Sequence, residues 1–216
     1  MELFLNTVSD LLWNSLKKLM SMEEFNSFRI VGGTSLSLQL GHRESVDIDL
    51  FTDADYDSVD FSVLETKLTE TFPYVDISSI DFVGMGKSYF IGNNENESVK
   101  LDLFYTDPFV FPCILEQNVR FAGIEEVAAM KFEVVANGGR KKDFWDIHEL
   151  LETYTLDEMI DFYLERYPYG YSKEELLAKV VDFSGAEDDF TPNCLRGKVW
   201  ELIKLDFEKS VNKLDL

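Results

Sequence analysis

Cysteine is scarce in this chain: Cys113 and Cys194 are the only two in 216 residues. They lie far apart and form no zinc-like spacing, so they read as reduced thiols of a cytoplasmic protein. Histidine is equally rare. His42 and His148 have no partner pattern and read as structural or exposed residues rather than metal ligands. No apolar run approaches the ~20 residues of a membrane-spanning helix. Glu2 and Asp10 interrupt the apolar N-terminal stretch, so a signal peptide is not expected there. Basic residues are few, 20 against 41 acidic ones, for a formal charge of −21. Such a surface repels nucleic acid and anionic membranes, so any nucleic-acid substrate must meet a local basic patch. The same imbalance suits a basic protein partner. There is no internal repeat and no low-complexity segment.

What is present suffices for a substantial core: 45% of residues are hydrophobic and 18 are Phe. The length suits one large domain or a domain with an appendage. Leu5, Val8, Leu12 and Leu16 predict a helix over 3–25. Short strands are expected at 28–31 and 46–51, with a compact helical stretch at 34–40 between them. Phe61, Leu64, Leu68 and Phe72 predict a helix that Pro73 stops. Strands follow at 75–83, 87–91 and 98–105, the last two joined by the polar turn GNNENE, and another is expected near 119–121. From Ile124 the periodicity is helical: 124–136, 143–154, 156–166, 172–181 and 195–214. The pattern predicts an α+β fold, with a small mixed β-sheet and flanking helices in residues 1–122. A helical C-terminal part, 123–216, follows, and the catalytic cleft is expected between the two.

The run from Arg29 to Phe51, RIVGGTSLSLQLGHRESVDIDLF, carries the most chemical information. A hydrophobic strand ends in Gly32-Gly33, residues that let backbone approach a phosphate closely. Further on, Asp47 and Asp49 alternate with Val46, Ile48 and Leu50. Alternation puts both carboxylates on one face of a strand. Two carboxylates so placed repel each other, and a divalent cation removes that cost. Asp102, between Leu101 and Leu103, is the best third acidic partner, because neighbouring strands of one sheet could bring all three together. Such a trio suits a site in which metal ions clamp the attacking and leaving oxygens of a phosphoryl displacement. Later, Lys131 lies beside an apolar helix face, from which it can extend a point charge to phosphate. Arg140, Lys141 and Lys142 form the densest basic run. Asp143 and Asp146, three apart, share a helix face, and Asp143 reads as an N-cap. Arg43, four residues before Asp47, could offset the carboxylates or bind phosphate.

These residues resemble a known family. Hydrophobic-Gly-Gly, then Asp-Ile-Asp-Leu, then Leu-Asp-Leu is similar to the DNA polymerase β nucleotidyltransferase superfamily. VGGTSLSLQLGHRESVDIDLF with MKFEVVANGGRKKDFWDIHELL resembles, more narrowly, the AbiEii/AbiGii-type nucleotidyltransferases, which include toxins of type IV toxin–antitoxin systems. The resemblance implies transfer of a nucleotidyl group from an NTP, with Mg²⁺ or Mn²⁺, to an acceptor that in some members is the 3′ end of tRNA. Under it, Gly33 and Thr34, beside Gly32, match the residues that hold the triphosphate. Asp47, Asp49 and Asp102 match the metal carboxylates. Lys131 matches a nucleotide-contacting lysine, with Arg43 or Arg140 assisting, and Asp143 and Asp146 match the late acidic motif. A basic antitoxin is an implied partner.

Two alternatives share these residues. One is a non-catalytic module of the same fold that works through a partner. The other is an enzyme that places AMP on a hydroxyl side chain of a protein, which the acidic charge suits better than RNA.

Overall fold

A computed structural model describes residues 2–77 and 84–214. The chain divides into two compact units, one of residues 1–40 and 45–122, the other of residues 41–44 and 123–216.

The first unit is built on a mixed seven-stranded sheet in the order β3-β4-β5-β2-β1-β7-β6. Its strands are β1 (Phe28–Ile30), β2 (Asp47–Thr52), β3 (Tyr74–Ile77), β4 (Gly86–Asn94), β5 (Glu97–Tyr105), β6 (Cys113–Glu116) and β7 (Val119–Ala122). The predicted strand 75–83 is seen as β3, and residues 78–83 lie outside the described residues. β2 runs parallel to β5, and β1 parallel to β7; the other pairings are antiparallel. One face of the sheet is a hydrophobic layer. Ile48 and Leu50 of β2 and Leu101 and Leu103 of β5 are fully buried there, in one cluster with Leu12, Leu16 and Leu19 of α1 (Asp10–Met20). Each such leucine contributes about 2 kcal/mol by leaving water. α3 (Phe61–Thr71) adds Phe61, Leu64 and Leu68 to the same cluster.

The predicted helix 3–25 is shorter than expected. It starts at Asp10, because the Ser9 side chain accepts the Leu12 N–H and so caps it. Leu5–Thr7 and Glu23–Phe25 are single 3₁₀ turns on either side. Strand β6 was not legible in the sequence. It pairs with β7 through a turn whose residues, Gln117 and Asn118, both have positive φ without being glycine, so the usual hairpin signal is missing.

The second unit is helical: α4 (Ile124–Ala136), α5 (Lys141–Leu150), α6 (Leu156–Arg166), α7 (Lys173–Val180) and α8 (Trp200–Leu214). α4 packs against α5, α6 and α7, while α8 packs on α5 and α6. Aromatics fill the α5–α8 contact: Trp145 stacks on Trp200 at 6.1 Å and Phe144 meets Phe207 edge-on at 6.0 Å. The predicted helix 195–214 begins five residues late. Gly197 at φ +67 breaks it, and the Cys194 thiol accepts the N–H groups of Arg196 and Lys198 instead. The strap 41–44 is held to this unit by backbone bonds from Glu44 N–H to Asn193 O (2.9 Å) and from Leu195 N–H to His42 O (2.8 Å).

Candidate active site

Strand alternation does in β2 and β5 what the sequence predicts. Ile48 and Leu50 point into the core while Asp47, Asp49 and Phe51 lie half-buried on the opposite face. Lys100, Asp102 and Phe104 of β5 share that face. The parallel register sets Asp49 directly beside Asp102 and Asp47 beside Lys100. The three predicted carboxylates are therefore brought onto one sheet face.

Each carboxylate has its own surroundings. Asp102 Oδ1 accepts the Ser88 hydroxyl (2.5 Å), and its Oδ2 accepts Lys100 Nζ (2.5 Å). Asp49 lies against the first turn of α2 (Gly32–Leu40), and a Cβ on Gly32 would overlap its carboxylate. Gly32 also has φ +68, a conformation side chains disfavour. The glycine pair thus has a reason beyond phosphate access: it lets a helix N-terminus, with its partial positive charge, meet a carboxylate. Gly32→Ala is expected to cost about 2 kcal/mol in urea unfolding, from backbone strain and the clash with Asp49. Gly33 is buried in the same turn. Thr34 is buried as well, and its hydroxyl donates to the Asp47 main-chain carbonyl and pairs with Ser45 Oγ at 2.7 Å. Its side chain pins α2 to the start of β2.

The remaining predicted residues gather in the second unit around Asp146, which is fully buried. Its Oδ1 accepts His42 Nε2 (2.7 Å) and Arg43 Nε (2.7 Å). Its Oδ2 accepts Arg43 Nη2 (2.8 Å) and pairs with Lys131 Nζ (2.8 Å). Four donors meet the four lone-pair sites of a carboxylate, so this buried charge is fully satisfied. Burial alone would raise the Asp146 pKa; the charges of Arg43 and Lys131, with the hydrogen bonds from His42 and Arg43, hold it well below the usual range. Lys131 also bonds Asp143 Oδ1 (2.5 Å). Burial pulls its pKa down, but Asp146 and Asp143 outweigh that and raise it.

Several expectations are refined here. Arg43 grips Asp146 with a two-pronged bond, a pairing invisible in sequence because the partners are 103 residues apart. Asp143 is not the N-cap of α5. Arg140 holds that position, and Asp143, three residues on, reaches back to accept the Arg140 N–H (3.0 Å). The basic run 140–142 splits three ways. Arg140 is exposed, Lys141 is buried with Nζ on Glu187 O (3.2 Å), and Lys142 is half-buried. Burial lowers the Lys142 pKa, and repulsion from Arg140 and Lys131 lowers it further. Sequence reasoning missed Lys100 and Ser88. Lys100 was findable, since it sits two residues before Asp102 and so must share its face; Ser88 and the burial of His42 had no sequence signal.

For a metal, the donor set is chemically apt: three carboxylates offer the hard oxygens that Mg²⁺ prefers. Among the described residues, however, no three His, Cys, Asp or Glu side chains are gathered closely enough to hold an ion as they stand. Register and donor type fit; the present Asp102 rotamer, turned to Lys100 and Ser88, would have to adjust.

Known proteins resemble this chain in sequence and in fold. A family model described as nucleotidyl transferase AbiEii toxin, type IV TA system, matches residues 15–194. An uncharacterized protein of Aquifex aeolicus (strain VF5), aq_aa25, is 29% identical over 153 residues, which is 66% of this chain and 66% of that protein, just under two thirds of its length. Among solved structures, MenT4, nucleotidyltransferase toxin Rv2826c from Mycobacterium tuberculosis H37Rv, is similar with a TM-score of 0.61 at 15% identity, covering 92% of this chain and 82% of that one. A candidate nucleotidyltransferase from H. pylori gives 0.56 at 16% identity, covering 92% and 91%. At such identities the structural likeness is one of fold, a nucleotidyltransferase fold of α+β class. The family match, by contrast, is one of sequence and runs through both units, and by it this chain belongs to the AbiEii nucleotidyltransferase toxin family of type IV toxin–antitoxin systems.

Proposed function

We propose that this protein moves a nucleotidyl group from an NTP to an acceptor hydroxyl, with the 3′ end of an RNA such as tRNA as acceptor; the hydroxyl oxygen bonds the α-phosphorus as the bond to the β-phosphate breaks and pyrophosphate leaves. The observation that carries the reading is the row of Asp47, Asp49 and Asp102 on one half-open sheet face, with Asp49 and Asp102 in register. Asp47 and Asp49 would hold Mg²⁺ or Mn²⁺, and Asp102 would complete the set. When bound, the cation neutralises phosphate charge that the acidic face alone would repel. Asp102 would take the proton of the attacking hydroxyl at a carboxylate oxygen. The backbone at Gly32–Gly33, beside the Asp49 carboxylate, would receive the β and γ phosphates at the start of α2 once a cation has offset that carboxylate. Thr34 serves by fixing that turn to β2. In the second unit, exposed Arg140 is available to a phosphate. Lys131 is buried with its ammonium on Asp143 and Asp146 and serves by holding those two carboxylates.

A family of type IV toxins implies an antitoxin, and an excess of acidic residues, 41 against 20 basic, suits a basic one. The test is label transfer: each α-³²P-labelled NTP with Mg²⁺ or Mn²⁺, bulk RNA and host protein extract. Label on RNA is expected. Label on protein would replace the RNA acceptor by a hydroxyl side chain. Absence of label on both, with and without the antitoxin, would favour a partner-binding module.

A further inference from the structure

The row of acidic groups on the first unit contains a cation of its own. Lys100 lies on β5 between Phe90 of β4 and Asp47 of β2 in register, on the face that carries all three carboxylates. Its ammonium reaches two residues along the strand to Asp102 Oδ2 at 2.5 Å, while Ser88 engages Oδ1 at 2.5 Å. Both oxygens of the carboxylate needed to complete a three-ligand site are thus engaged from within the sheet. A positive charge also stands beside Asp47.

From this arrangement we infer that Lys100 is a tethered counter-cation, which a divalent ion must displace from Asp102 in order to bind. The inference rests on the metal-site reading above. The physical argument is one of competition. Three carboxylates on one face repel each other, and Lys100 relieves that repulsion with a single charge on a flexible stem. The same charge opposes an arriving divalent ion, directly by repulsion and indirectly by occupying Asp102 Oδ2. The pair is exchangeable, because the Lys100 side chain is 38% exposed, and ion pairs so open to water are weak. The lysine is therefore a positioning residue. It keeps Asp102 oriented without a metal, at the expense of affinity for the metal itself.

The test is Mn²⁺ binding to the full chain, without nucleotide, followed by calorimetry and by the electron spin resonance of free Mn²⁺. Lys100→Met is expected to bind Mn²⁺ about fivefold more tightly than the parent protein, the factor that corresponds to removing one exposed ion pair. Lys100→Arg, which keeps the charge, is expected to stay near the parent. Thermal melting of each variant without metal checks the fold, and a Lys100→Met protein that melts lower yet binds Mn²⁺ more tightly still supports the inference. Equal or weaker binding by Lys100→Met, with binding lost in Asp47→Ala/Asp49→Ala, would overturn the role of Lys100 and leave the metal site standing. Mn²⁺ binding that Asp47→Ala/Asp49→Ala leaves unchanged would overturn the metal-site reading itself, and the role of Lys100 with it.

Discussion

Asp47→Ala is expected to lower label transfer by about 10³-fold, and Asp47→Ala/Asp49→Ala to abolish it, while the fold survives. The size follows from the proposed role. Removing a group that places charge opposite a reacting phosphate typically costs two to three decades in rate, on the order of 10²–10³. Survival of the fold follows from the placement. Asp47 and Asp49 are on the half-exposed face of β2, whereas Ile48 and Leu50 carry the packing. Asp49 also faces Asp102 across the parallel pair, a like-charge neighbour whose removal relieves repulsion. The melting temperature of Asp47→Ala should stay level or rise, while the double variant also gives up the Asp49 carboxylate at the start of α2 and should melt near the parent protein. Melting and transfer measured on one preparation decide the matter: transfer retained in the double variant would refute the assignment of these carboxylates.

Asp146→Ala should behave in the opposite way, losing stability first. The expected loss is about 3–5 kcal/mol in urea unfolding, the range for removing one partner of a buried ion pair. Arg43 would lose both arms of its grip, and Lys131 would keep Asp143 alone. Failure of this variant to transfer label would therefore say nothing about chemistry unless stability were measured beside it. The network also sets a pH window. Asp146 has a lowered pKa in the folded protein, so its contribution is complete above the ordinary carboxylate pKa and is lost as the pH falls through the depressed value. Lys131 has a raised pKa, so its contribution is complete below the ordinary lysine value and is lost as the pH climbs through the raised one. Denaturant titrations should show a plateau between those limits. The acid-side fall should be shallower in Asp146→Ala, whose stability no longer depends on that ionisation.

The two experiments separate what a sequence motif lumps together. Asp47, Asp49, Asp102, Lys131, Asp143 and Asp146 stand out equally in the chain as acidic or basic residues in apolar surroundings. In the folded protein, Asp47, Asp49 and Asp102 lie on a half-open face, while Lys131, Asp143 and Asp146 are buried against one another. Exposure is set by what packs over a residue, and that information is spread over the whole chain.

The sequence by itself determined most of the elements and the acidic face. A period of two fixed which side of β2 and β5 the aspartates occupy, and a period near 3.6 located α4 and α6 to the residue. Both are local rules of backbone geometry. The tertiary structure alone decided the partners. Ser9 rather than Leu5 starts α1; Gln117-Asn118 turns a hairpin without glycine; Arg43 and His42 close on Asp146 more than a hundred residues away. The reason is physical. A buried charge requires partners, but any cation that the fold can bring within reach will serve. Which one arrives depends on how helices and strands pack, and no local pattern in the chain records that.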